Sequence, residues 1–319
     1  MLLRKITKKI WFQFATTKPI LARRLNYIRS GHRLTVLNLH RIAPDDGSGY
    51  RPLDPILFRE LLTFVKSHYR VATFGQLSEN DDRRPPLVLS FDDGYRDFID
   101  YALPLLEEFG LSANQNIIPA CALSGRPPLN VLMQDFIGKA PQGVVAKIKL
   151  PGFEMHNAKQ RPNALSAFLK NRPMEKQKHL LELLLPQIEA YDEFRATPVM
   201  SVDEINSLPA SIEVGAHSFE HASMAEESDD YVQEDARRCN AFFEEYLRFS
   251  PRVYAFPNGS HRPQHIDLVK RAGFDTVLLV GERFAESANE VHRFTFDATS
   301  RAEVVYRATG AHAAPFLQG

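Results

Sequence analysis

Short apolar runs alternate with helix-period segments along most of this chain, and four of those runs end directly in a polar cluster. Such alternation argues for parallel strands joined by helices, in an α/β sheet or barrel. Buried strands are expected at 33–39, 86–91, 211–215, 252–256 and 275–280, with a further one at 112–118. Asp54-Pro55 opens a helix over 54–69, proline taking the first helical position. A second helix spans 97–109, with Phe98, Ile99, Ala102, Leu105, Leu106 and Phe109 on one side and Gly110 as its stop. Helices are also expected over 230–248 and 263–272. One stretch, 126–198, breaks the alternation. It is mostly polar and helical, as at 173–185, and reads as an insertion over one face, either a cap or a plain elaboration.

Composition removes several function classes. The 319 residues are 44% hydrophobic, and 39 Lys plus Arg balance 39 Asp plus Glu. No global field draws the chain to nucleic acid. Two cysteines, Cys121 and Cys239, cannot build a disulfide framework and fit a reducing compartment. Residues 1–30 form a distinct basic segment ahead of the domain at 31–319. Arg4, Lys5, Lys8, Lys9, Lys18, Arg23 and Arg24 carry it, with no acid before Ile28. It lacks the unbroken apolar core of an export signal, and no stretch approaches a membrane span. Two readings follow: a basic amphipathic helix on an anionic membrane face, or a basic helix packed on the domain. The expected location is cytoplasmic, with peripheral contact at the inner membrane face under the first reading. Oligomeric state leaves no trace in the sequence.

The polar clusters are His40 after 34–39, Asp92-Asp93 after 87–89, His217 after 212–215, and Asn258-Gly259 after 253–257. Active sites of parallel α/β folds lie at the C-terminal strand ends, so these four can converge. Adjacent Asp92 and Asp93 repel, and both stay ionised only beside a cation; a turn or helix cap is the plainer reading. His217 and His221, four residues apart, share one face of a helical turn and can meet one metal. Ser218 stands where the zincin motif needs glutamate. Two histidines and one aspartate suit Zn²⁺, and equally a non-haem Fe(II) oxygenase. The spare aspartate favours a hydrolase, which needs a general base beside its water.

These residues carry a family resemblance. Ser90-Phe91-Asp92-Asp93-Gly94 resembles the T/S-F-D-D-G motif of NodB-type polysaccharide deacetylases, carbohydrate esterase family four. His217-Ser218-Phe219-Glu220-His221 resembles their H-[ST]-x-x-H motif, and Tyr254-Ala255-Phe256-Pro257-Asn258-Gly259 their third motif. The resemblance implies a distorted (β/α) barrel of about seven strands and metal-dependent removal of an acyl group from an N-acylated sugar. The sugar would belong to a polysaccharide or a lipid-linked saccharide. Asp92 matches the general base. Asp93, His217 and His221 match the ligands of a divalent metal, Zn²⁺ being expected. Asn258 falls where a backbone N–H holds the oxyanion, and Ser218 where a neighbouring group steadies the metal face.

Two family features are missing. No aspartate–tryptophan motif follows Gly273, and no late strand ends in Leu-x-His. Leu37-Asn38-Leu39-His40 looks like that last strand moved to the front, as in permuted members, which makes His40 the expected proton donor. His292 competes for the role, beside Arg293, which resembles an arginine those members carry late. A catalytically inactive carbohydrate-binding barrel is the alternative, and the intact Asp92, Asp93, His217 and His221 speak against it.

Overall fold

The computed structural model describes residues 11–78, 82–287 and 289–312. Eight parallel strands form its sheet: β1 (Thr35–Leu39), β2 (Arg70–Val71), β3 (Pro86–Phe91), β4 (Ala113–Ile117), β5 (Ile212–Ala216), β6 (Val253–Ala255), β7 (Thr276–Val280) and β8 (Glu290–Thr295). The order is β1-β8-β7-β6-β5-β4-β3-β2, and β1 also pairs with β3. That second pairing closes seven strands into a barrel and leaves β2 appended beside β3. The expected α/β barrel is therefore present. The short β2, and β8 with its mixed Glu-Val-His-Arg-Phe-Thr composition, escaped the sequence pattern.

Register sets what faces what at the barrel mouth. Leu39 pairs with Phe91, and Ala216 with Ile117 and Tyr254. The Asp92 N–H continues the ladder to the Leu39 carbonyl, and the His217 N–H to that of Ile117. His40 and Asp92 thus leave β1 and β3 in register, and His217 leaves β5 directly after Ala216, all at the C-terminal strand ends. Linking helices pack outside, their apolar faces forming the main core with Phe58, Leu61, Phe98, Leu106, Phe242 and Val269. Gly215 is required for space: a Cβ there would collide with the Asn116 carboxamide and with Val253 on the adjacent strands.

The region 126–198 folds as helices Leu129–Lys139, Gln142–Val145, Pro162–Lys170 and Met174–Glu189. It has its own apolar cluster, including Leu132, Phe136, Leu165, Leu169 and Leu184. Asp135 ties it to the domain by accepting from Ser48 Oγ, and it also accepts from the N–H and hydroxyl of Thr197 at the region's far end.

Of the basic segment, residues 1–10 lie outside the described part. Helix Lys18–Ser30 packs on the domain: Ile28 joins the core, and Arg24 is buried with Nε donating to the Thr309 carbonyl at 2.9 Å. Trp11 and Phe14 remain exposed. No described helix is long and apolar enough to cross a membrane.

Candidate active site

All four polar clusters meet at the C-terminal barrel mouth, around a cavity of about 640 Å³. His40, Asp92, Asp93, His217, His221 and Asn258 line it, and Arg293 joins them.

Asp93 faces both histidines. Its Oδ1 lies 3.3 Å from His217 Nε2 and 3.4 Å from His221 Nε2, and has no hydrogen-bond partner. Two ligands each about 2.0–2.1 Å from a tetrahedral ion stand about 3.3–3.4 Å apart, so this spacing suits a cation. The three ligand atoms lie within 4.8 Å of one another. His217 Nδ1 donates to the Ala255 carbonyl at 2.9 Å, which leaves Nε2 as the lone-pair nitrogen turned to the site. Burial works against the Asp93 carboxylate, but the adjoining imidazoles of His217 and His221 hold it below its usual range. Burial lowers His221 to about 3, and also weakens the basicity of His40. For His217 the opposing burial is outweighed by Asp92 and Asp93, and its pKa rises.

Asp92 sits in a different cage. Arg293 Nη1 and Asn116 Nδ2 each donate to its Oδ1 at 2.8 Å. Burial raises its pKa, yet the Arg293 charge, with His217, brings it down to about 2. Arg293 also donates to Asn38 Oδ1 and Ser90 Oγ. A polar layer therefore fills the barrel below the mouth. Asn116 left a readable signal, since Asn114 and Asn116 alternate in a strand buried at every position.

Four site residues hold positive φ: Asp93 at 75°, Ser218 at 61°, His221 at 63° and Asn258 at 58°. Such strain in non-glycine residues clusters where the surrounding structure imposes it. Asp235 imposes part of it. It accepts from Ser218 Oγ at 2.8 Å, the Phe219 N–H at 3.0 Å and the Tyr254 hydroxyl at 2.7 Å. The histidine loop and β6 are tied through one buried carboxylate, which sequence reasoning missed because it lies mid-helix in Asp229–Phe242.

His40 meets the Tyr50 ring edge-on at 5.9 Å between centroids. His292 does not line the cavity; strand alternation turns it away from Arg293, and its Nε2 contacts Arg283. Lys170, from the inserted helices, does line it, and Nζ donates to Asn258 Oδ1 at 2.7 Å. Burial lowers its pKa.

Comparisons with known proteins agree with this picture. A family model described as polysaccharide deacetylase matches residues 191–277, the span holding His217, His221 and Asn258. Among solved structures, IcaB from Ammonifex degensii is similar with TM-score 0.54 and 18% identity, over 87% of this chain and 97% of that one. The deacetylase PplD of Streptococcus pyogenes, solved with acetate, gives 0.53 and 15% over 87% and 98%. A de-N-acetylase from Aggregatibacter actinomycetemcomitans gives 0.51 and 14% over 83% and 95%. At these identities the likeness speaks to the fold. No curated protein matches the chain.

Proposed function

We propose that this chain, matched by the polysaccharide deacetylase model over residues 191–277 and sharing the fold of solved deacetylases, is a metal-dependent N-deacetylase acting on an N-acylated saccharide. The carrying observation is the division of the two aspartates: Asp93 is turned to His217 and His221, whereas Asp92 is caged by Arg293 and Asn116.

Asp93, His217 and His221 would hold a divalent cation, Zn²⁺ by the chemistry of the donor set. When bound, it supplies Lewis-acid polarisation and makes water a competent nucleophile at neutral pH. Asp92, kept ionised by Arg293, accepts the proton of the attacking water. The Asn258 N–H offers a donor to the oxyanion as the carbonyl carbon becomes tetrahedral. His40 gives a proton to the sugar nitrogen as the C–N bond breaks, releasing an amino sugar and a short carboxylic acid. The cavity position of His40, against the outward turn of His292, favours His40 for this role.

The test is metal content and acetate release from polymeric and lipid-linked N-acetyl sugars, for the wild type and Asp93→Ala. Metal loss with loss of turnover supports the reading. Full metal and activity in Asp93→Ala would overturn the ligand assignment.

A cytoplasmic protein peripheral on the inner membrane face fits the exposed Trp11 and Phe14 beside a basic segment. Binding to vesicles of anionic phospholipid, lost in a Trp11→Asp, Phe14→Asp variant, would bear this out; equal binding by the variant would exclude it.

A further inference from the structure

Two inserted helices turn polar side chains to the cavity at helical spacing. Asn130 and Gln134 come from Leu129–Lys139, and Ser166 and Lys170 from Pro162–Lys170, with Asn163 exposed. Residues four apart share a helix face. The other faces carry Leu132, Phe136, Leu165 and Leu169 into the insertion's own core. Asn130, Gln134 and Ser166 are each less than a tenth exposed. These helices are therefore divided between core and cavity, the pattern of a binding wall. Asn130 Oδ1 is buried with no hydrogen-bond partner, an acceptor that a ligand hydroxyl would satisfy.

Lys170 ties this wall to the site. Its carbonyl accepts from Ser223 Oγ at 2.7 Å, two residues beyond His221, while its Nζ reaches Asn258. Among the described cavity residues the arginines are paired: Arg293 with Asp92, Arg41 with Asp97 and Asp46, and Arg51 with Asp45. Lys170 forms no ion pair there and has only a neutral amide. A half-buried ammonium without a counter-ion is costly. Both side chains line the cavity and the Asp93 charge acts on Lys170, but a cation held at the triad would neutralise that charge. The missing counter-ion would then come with the ligand.

We propose that the insertion is the substrate-binding wall and that Lys170 binds an acidic substituent, phosphate or carboxylate, on the N-acylated sugar; this rests on the deacetylase reading above. Lys170 is thereby a specificity residue, selecting acidic over neutral saccharides.

The experiment compares the Zn²⁺-loaded wild type, Lys170→Gln and Lys170→Arg on N-acetylglucosamine 1-phosphate, an N-acetylglucosaminyl uronate disaccharide and a neutral N-acetylglucosamine oligomer. A charge-assisted hydrogen bond predicts that the acidic-to-neutral ratio of kcat/KM falls about tenfold or more in Lys170→Gln, through KM, and is kept by Lys170→Arg. The acidic sugar that loses more identifies phosphate or carboxylate. An unchanged ratio, or an equal kcat loss on acidic and neutral sugars, would overturn the proposal and leave Lys170 a prop for Asn258. If the wild type turns over none of these sugars, the deacetylase reading fails by itself. Calorimetric titration of the acidic sugars into Asp92→Asn, with and without Lys170→Gln, then decides the proposal: weaker binding without Lys170 supports it, and equal binding excludes it.

Discussion

Arg293 Nη1 donates to Asp92 Oδ1 at 2.8 Å, and both side chains are sealed inside the barrel. Some 200 residues separate them, and the closure of β8 onto β1, with β1 onto β3, is what joins them. Removing one partner of a buried pair leaves a charge without compensation. Arg293→Met is expected to lower stability by about 3–5 kcal/mol. The pH dependence follows from the sign of the shift. A carboxylate held at about 2 in the folded state stabilises the fold fully above its unfolded value near 4, and that contribution is lost as pH falls through 2. In Arg293→Met burial acts unopposed by that arginine, so the benefit shrinks at neutral pH. Urea midpoints of the metal-free protein at pH 3 and pH 7 check this; identical midpoints for wild type and variant would remove Arg293 as the charge partner.

His40→Ala should reduce turnover by about 10²-fold or more, the usual scale of a lost proton donor, with metal content retained. Metal analysis and steady-state rates on one preparation separate the two effects. Undiminished turnover would take His40 out of the mechanism.

Asp235 is expected to behave as the clamp of the histidine loop. Asp235→Ala strips the acceptor from Ser218, Phe219 and Tyr254, and at about 1–3 kcal/mol per orphaned donor the loss is at least about 3 kcal/mol. Metal affinity should fall about 10–100-fold, as when other groups that orient ligands are removed. Burial raises Asp235 to about 6. The folded state therefore binds more protons between about pH 4 and 6, and stability drops as pH rises through that window. Asp235→Asn should flatten this slope. Denaturant titrations at pH 4 and 7 with metal-binding isotherms test both parts, and unaltered metal affinity in Asp235→Ala would deny Asp235 its positioning role.

Much of the fold was legible because burial in a parallel barrel leaves a local mark. Apolar runs such as 34–39 and 87–89 have no solvated face, and caps such as Asp54-Pro55 show where a helix begins. β8 hid because Arg293 and Glu290 interrupt its apolar pattern, and the arginine is tolerated only for the carboxylate it meets. Lys170 and Asp235 hid for a related reason. Both sit on ordinary helical sequence, and nothing local says that one reaches the cavity while the other clamps a loop.

By itself the sequence determined the alternating architecture, the four polar clusters at strand ends and the spacing of His217 and His221. These depend on periods of two and 3.6 residues, which any short window contains. Only the tertiary structure decided which aspartate faces the histidines and which faces Arg293, and that His40 points to the cavity while His292 points away. Those outcomes depend on strand register and barrel closure, set by pairings between residues far apart in the chain, and on left-handed turns at Asp93 and His221 that the assembled neighbours impose.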